Sequence, residues 1–246
     1  MTPPLTELIT NHVPEAVNIP IGLTHSVPGT LALPPHPLGL VLFAHGSGSS
    51  RLSPRNRYVA DCLFESNLGW LLFDLLTDHE SRSRGNVFDI SLLAERLRLA
   101  TEWAADYPAT RDLALGYFGA STGAAAALMA AAGSTRVRAV VSRGGRPDLA
   151  GEWLGRVTVP TLLIVGGADS SVLELNARAL QLLGGLRELI VVPRATHLFQ
   201  EPGTLERVAE AAAGWFRHYL PVGATEGRNA VSRPSAPEAV VASTPM

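Results

Sequence analysis

The sequence contains no lysine: all 20 basic side chains among its 246 residues are arginine. That absence excludes Schiff-base chemistry on a lysine, and with it pyridoxal-phosphate enzymes and lysine-dependent aldolases. It excludes an ordinary P-loop NTPase, which needs a Walker A lysine, and a protein kinase, which needs the lysine of its third strand. There is a single cysteine, Cys62, so neither an intrachain disulfide nor a cysteine-based structural zinc site is available. Charge of one sign is not in excess; the formal net charge is −2, which leaves no basic footprint for nucleic acid. No stretch approaches about 18 uninterrupted apolar residues, so no membrane-spanning helix is expected. The first 20 residues lack a basic stretch followed by an apolar run, and so do not read as a signal peptide. A cytoplasmic protein is the default expectation, and its chemistry must run on Ser, His, Asp, Glu, Arg or backbone groups.

What is present is ample apolar material, 46% of the chain, organised in three zones. Residues 1–220 are expected to form one α/β domain, with a strand-rich edge over about 16–38. Two short strands, Ala16–Ile21 and Thr30–Leu33, are predicted there around a Pro28-Gly29 turn. Residues 221–246 are rich in Pro, Ala, Ser and Gly without periodicity and are expected to be a disordered tail. Between these zones, short wholly apolar runs alternate with helical patterns. Leu40–Ala44, Trp70–Phe73, Leu113–Phe118, Val137–Val141, Thr161–Val165 and Leu189–Val192 have the character of strands buried on both faces. Ser53-Pro54 supplies an N-cap and first-turn proline for a helix reaching Asn67. Further helices are expected through Leu93–Ala104, Ala124–Ala132, Val172–Leu183 and Leu205–Tyr219. Such alternation implies right-handed crossovers, a mostly parallel sheet and an active site at the carboxyl ends of the strands.

Chemistry-bearing residues collect at those strand ends. Gly119-Ala120-Ser121-Thr122-Gly123 is a G-x-S-x-G sequence between a strand and a helix. The turn is so tight that residues two before and two after the serine must be small. A nucleophilic serine needs a base, and the base an orienting acid. Asp169 follows strand Thr161–Val165 and His197 follows strand Leu189–Val192, in the order Ser, Asp, His with separations of 48 and 28 residues. Asp148 is the alternative acid, and Asp74 is expected to be a structural hydrogen-bond partner. The oxyanion of a tetrahedral intermediate needs two backbone donors. The candidates are the N–H of Thr122 and that of Ser47, with Gly48 as the alternative, in the loop His45-Gly46-Ser47-Gly48-Ser49-Ser50. As a dinucleotide loop this segment lacks the third glycine, a position held by Arg51. His45 is expected to bracket the loop.

These residues resemble the α/β-hydrolase superfamily, and within it the dienelactone-hydrolase-like branch of small serine hydrolases. The resemblance covers about Ile19 to Leu220. It rests on His45-Gly46-Ser47-Gly48, on Gly119 through Gly123, on Val165-Gly166-Gly167-Ala168-Asp169 and on Ala195-Thr196-His197. It implies a sheet of about eight strands with helices on both faces, an ester or thioester of a small molecule as substrate, and neither cofactor nor metal. Dienelactone hydrolase itself has cysteine at the elbow, where this chain has Ser121, so its particular substrate does not follow. An acyltransferase, perhydrolase or amidase would use the same triad, and a non-catalytic binding protein could keep the fold. Asp at the elbow, which haloalkane and epoxide hydrolases require, is absent.

Arg143 and Arg146 follow strand Val137–Val141, and Arg51 and Arg55 follow the glycine-rich loop. Arg143, Arg146 and Arg51, with Gly48, are candidate substrate-binding residues, because a guanidinium fork pairs with carboxylate or phosphate. The competing expectation is an internal ion pair, with Asp148 or Asp169. Only about 20 residues separate strands Val137–Val141 and Thr161–Val165, so no helical lid domain is expected, and the rims of an open site fall to Asp78–Gly85 and Pro147–Arg156.

Overall fold

The computed structural model describes residues 14–221. The tail expected over 221–246 therefore lies outside the described residues, apart from Pro221. The strands are β1 (Glu15–Pro20), β2 (Ser26–Ala32), β3 (Leu40–Ala44), β4 (Gly69–Phe73), β5 (Leu115–Ala120), β6 (Val137–Arg143), β7 (Thr161–Gly166) and β8 (Arg187–Val192). The helices are α1 (Pro54–Glu65), α2 (Arg84–Phe88), α3 (Ile90–Asp106), α4 (Thr122–Ala131), α5 (Ser170–Leu182) and α6 (Thr204–Tyr219). One eight-stranded sheet runs in the order β1-β2-β4-β3-β5-β6-β7-β8. β2 is antiparallel to both β1 and β4, and every other pairing is parallel.

The order explains where a site can form. The chain steps from β3 to β4 on one side, then crosses to β5 on the other. The loops leaving β3 and β5 therefore diverge and leave a crevice at the carboxyl edge. Those loops are the His45–Ser50 segment and the Ser121 turn.

Every residue of β3, β4, β5 and β7 is buried, as parallel strands covered on both faces require. One apolar layer joins the sheet to α3, α4 and the segment Pro147–Arg156; the other joins it to α1 and α6. Trp70, Tyr117, Phe43, Phe73 and Phe118 are almost wholly enclosed, each contributing about 1.5–3 kcal/mol through the area it removes from water. The caps are local. Ser53 accepts the Asn56 N–H at the start of α1, and Asp89 accepts the Leu92 N–H at the start of α3.

Two local expectations are corrected. Pro28-Gly29 is not a turn but the middle of β2, paired with Asn18 and Val17 on β1. The hairpin turns instead through 21–25, where Gly22 has φ 156°. A Cβ on Gly29 would lie 3.0 Å from Val17 Cγ2 and 3.3 Å from Phe73 Cβ, so close sheet packing, not turn geometry, accounts for that glycine. β6 continues two residues beyond Val141, and Arg143 is its last residue. No large extra domain interrupts the sheet, and Pro147–Arg156 is a short 3₁₀ segment kinked at Gly151. Among the described residues no helix is long and apolar enough to cross a membrane.

Candidate active site

The turn after β5 is built by what surrounds it. A Cβ on Gly119 would lie 2.4 Å from Ala124 Cα, and one on Gly123 would lie 2.2 Å from the Ala44 carbonyl oxygen. Only glycine fits at either place. Between them Ser121 takes φ 52° and ψ −121° at the N-cap position of α4. A non-glycine residue held there costs about 1–3 kcal/mol, and such strain persists only where the surroundings impose it. The Ser121 N–H donates to Arg143 O at 3.2 Å, and Ser121 O accepts from the Arg146 and Ala124 amides, both at 3.1 Å. The serine is thus clamped between β5, β6 and α4. Thr122, as the first residue of α4, has no intrahelical partner for its own N–H.

The loop after β3 closes against this turn. A Cβ on Gly46 would lie 3.0 Å from Ser121 Cβ. His45 brackets the loop, accepting the Leu75 N–H at Nε2 (3.1 Å) and donating from Nδ1 to Gly46 O (3.1 Å). Nε2 must accept, so the proton sits on Nδ1. Burial pushes the His45 pKa below its ordinary value, against the opposing pull of Gly46 and Asp74. Ser47 differs from the simplest expectation of a free donor: its N–H donates to the Thr122 hydroxyl at 2.8 Å. The latch forms because the β3 loop and the start of α4 meet across the crevice. Gly48 has φ 69° and open space around its Cα.

Asp169 and His197 meet across the ends of β7 and β8. Asp169 occupies the N-cap position of α5 but caps nothing; its Oδ2 instead accepts from His197 Nδ1 at 2.7 Å. The Asp169 side chain is 13% exposed and that of His197 38%. The two loops touch, since a Cβ on Gly166 would strike the Ala195 carbonyl at 2.3 Å. Thr196 fixes the histidine loop by donating to Glu201 from its N–H (3.1 Å) and its hydroxyl (2.6 Å). Gly144, at φ 50°, carries the β6 loop past His197, whose carbonyl would be 3.2 Å from any Cβ there. Among the described residues no hydrogen bond joins the Ser121 hydroxyl to His197, and in an unliganded site that contact is commonly long. Asp148, the alternative acid, is taken up elsewhere.

The arginines separate into two kinds. Arg146 makes a two-pronged pair with Asp148, at 2.9 Å and 2.7 Å. This is the internal ion pair of the competing expectation: two residues apart on the same turn, guanidinium and carboxylate meet directly. Arg51 leans on Asp74, whose Oδ1 accepts the Arg51 N–H at 2.7 Å while Oδ2 lies 3.5 Å from Nε. Arg143 has no such partner. It is 8% exposed, its Nη1 is buried without a hydrogen bond, and among the described residues it forms no ion pair. Burial, and then the neighbouring Arg55 charge, push its pKa down to about 10, so it stays protonated at neutral pH.

Several supports had no clear signal in the sequence. The Ser47–Thr122 latch joins residues 75 apart. Asn176, fully buried on the apolar stripe of α5, donates to Gly145 O and Val172 O and steadies the β6 loop. A polar residue spaced between Val172 and Ala179 was a readable hint. Beside the β3 loop a cleft of about 500 Å³ opens, floored by Gly46–Ser50 and walled by Leu76, Val87, Leu93, Arg82 and Arg84. The segment Asp78–Gly85, expected as a rim, contributes to that wall.

A mostly parallel eight-stranded sheet with a glycine-flanked serine turn at its carboxyl edge defines an α/β-hydrolase. No protein-family model matches the chain. The crystal structure of a dienelactone hydrolase from Anabaena variabilis is 53% identical, with a TM-score of 0.83, covering 85% of this chain and 99% of that one. The chain belongs to the dienelactone-hydrolase-like α/β-hydrolases. The esterase domain of a Rhodothermus marinus protein, 20% identical with a TM-score of 0.68, shares the fold over 84% of this chain and 99% of its own. Curated relatives in two strains of Mycobacterium tuberculosis are 62% identical over 195 residues, 79% of this chain, and are named as phosphoribosyl transferases. The chain spans only 44% of their length.

Proposed function

We propose that this chain is a serine hydrolase that cleaves a carboxylic ester or thioester of a small molecule through an acyl-enzyme. The observation that carries the reading is the 2.7 Å Asp169–His197 hydrogen bond beside a strained, glycine-flanked Ser121. Asp169 holds the imidazole with its proton on Nδ1, leaving Nε2 free to accept. His197 takes the Ser121 hydroxyl proton as the oxygen attacks the acyl carbon. The resulting oxyanion is held by the Thr122 N–H and, in exchange for the Thr122 hydroxyl, by the Ser47 N–H. Collapse expels the alcohol or thiol with the proton from His197. Water then repeats the sequence, giving the acid and free Ser121. The strain at Ser121 fixes the nucleophile before substrate arrives, so little reorganisation remains for the transition state.

The cleft of about 500 Å³ beside the β3 loop offers room for one side of the ester. The name borne by the mycobacterial relatives refers to proteins of which the matched segment is 44%. Nothing in the Ser121–His197–Asp169 arrangement favours phosphoribosyl transfer over acyl transfer to water. The test is a panel of p-nitrophenyl esters of graded acyl length with wild type, Ser121→Ala and His197→Ala. Wild-type turnover should fall by about a thousandfold or more in each variant. Equal turnover in wild type and Ser121→Ala would overturn the reading.

A further inference from the structure

Three partly buried arginines around the sheet's carboxyl edge have carboxylate partners, while Arg82 and Arg84 there are exposed. Arg51 has Asp74, Arg146 has Asp148 and Arg96 has Glu80. Arg143 and Arg55 are exceptions: among the described residues neither forms an ion pair. Arg143 Nη1 and Arg55 Nε are buried without a hydrogen bond, as are Arg51 Nε and Arg96 Nε, but only the last two belong to arginines with a carboxylate partner. The two also share one locality, since the Arg55 charge helps to lower the pKa of Arg143.

Their position relative to the nucleophile is fixed by the sheet. Arg143 is paired in register with Ala120, and its carbonyl accepts the Ser121 N–H. Along β6, Ala139 and Val141 face the apolar layer shared with α1, whose Val59, Ala60 and Leu63 belong to it. Alternation puts the Arg143 side chain on that same face, where α1 begins with Pro54 and Arg55. On the other flank Phe199, two residues past His197, is buried in the same layer. Two guanidinium groups without counter-charge thus sit beside the strand end that carries Ser121. A buried cation is ordinarily paired, so this pair lacks a partner that the protein does not itself supply.

We infer that Arg143 and Arg55 form a receptor for an anionic group, carboxylate or phosphate, carried by the substrate whose acyl carbon reaches Ser121. The inference rests on the hydrolase reading for the word substrate, but the receptor can be tested apart from turnover. The planar donors of Arg143 suit two oxygens of such a group, and Arg55 supplies the second charge.

The experiment uses the full chain. First, kcat/KM is compared for mono-p-nitrophenyl glutarate, for its neutral methyl ester and for the analogue ending in a phosphonate. Wild type should prefer at least one anionic ester by about tenfold or more, the scale of one charge-assisted hydrogen bond. That ratio should collapse toward one in Arg143→Met, shrink in Arg55→Gln and stay unchanged in Arg146→Gln, whose side chain is already paired. Because the ratio is internal, a general loss of activity does not imitate the result. Arg55 lies nearer the surface, so its variant decides the matter if Arg143→Met does not fold. Second, equilibrium binding of glutarate and of inorganic phosphate is measured by calorimetry in the same proteins. Binding that is lost in the variants supports the receptor and shows which anion it takes. No anionic preference and no binding in wild type, or either one retained in both variants, overturns it. Failure of every ester together with retained, arginine-dependent anion binding would sink the hydrolase reading and leave the receptor standing.

Discussion

Two stretches of the carboxyl edge carry charge and treat it in opposite ways. Beside β4, the partly buried arginines are matched locally. Arg96, only 13% exposed, meets Glu80 at 2.6 Å and donates to Ile21 O, while Glu80 also accepts from the Thr77 N–H and hydroxyl. Burial alone would raise the Glu80 pKa, but the Thr77 and Arg96 contacts outweigh it and hold the carboxyl below its usual range. Beside β6 and β8 the matching is incomplete. The His197–Asp169 pair is satisfied, yet Ser121 is strained, and Arg143 is buried without a counter-ion. Single guanidinium nitrogens are buried without a hydrogen bond on both sides, Arg51 Nε and Arg96 Nε as well as Arg143 Nη1, so the difference lies in the counter-ion that Arg143 alone of the three lacks among the described residues. On the proposed reading the Arg96–Glu80 pair serves the fold, whereas Arg143 serves recognition of an anion.

That contrast can be broken in measurable steps. The largest effect belongs to Asp169→Asn, which leaves the hydrogen-bond geometry but favours the wrong imidazole tautomer. Its kcat should fall by about 10³–10⁴-fold while the melting temperature stays within a few degrees. A large loss of stability instead would make Asp169 structural. Next, Glu80→Gln strands a largely buried Arg96. Denaturant titration should show a loss of about 2 kcal/mol, with ester hydrolysis per folded molecule retained. A fall in specific activity as large as that of Asp169→Asn would erase the distinction between the two stretches.

A smaller effect concerns acid. The folded pKa of His45 is depressed by burial, so the unfolded chain takes up a proton before the native state does. The stability it contributes is complete above its unfolded value of about 6.5 and is lost as pH falls from there toward the folded value, by at most about 1.4 kcal/mol per pH unit. Melting curves between pH 7.5 and 5 should show that slope in wild type and a shallower one in His45→Gln. An unchanged slope would remove His45 as its source. The smallest effect is Gly214→Ala. This glycine lies inside α6 with nothing within 4 Å of a new Cβ, and the change should raise stability by about 0.5–1 kcal/mol. Gly119→Ala, against the Ala124 backbone, should lower it.

The same division decides how much was legible in the sequence. The continuous apolar runs of β3, β4 and β5, the Ser53 cap and the glycines flanking Ser121 are local signals, and the elements follow them to within two residues. Pro28-Gly29 misleads because its local preference for a turn is overridden by pairing with β1 on one side and β4 on the other. Arg143 misleads because an apolar run ends at Val141 while the strand does not. The last two positions of β6 are polar and buried together, a pattern that propensity alone cannot distinguish from a loop. The Ser47–Thr122 latch and the fate of each arginine depend on residues far apart in the chain or on the turn each occupies. Only the folded arrangement separates Arg146, which finds Asp148, from Arg143, which finds none.

The most direct test of the whole account is labelling with a fluorophosphonate probe, the adduct being located by peptide mass spectrometry. Folded wild-type protein should carry one adduct, on Ser121, and labelling should be abolished in Ser121→Ala and strongly slowed in His197→Ala. Folded wild-type protein that takes up no label, or takes it up at another serine, would contradict the assignment of Ser121 as the nucleophile.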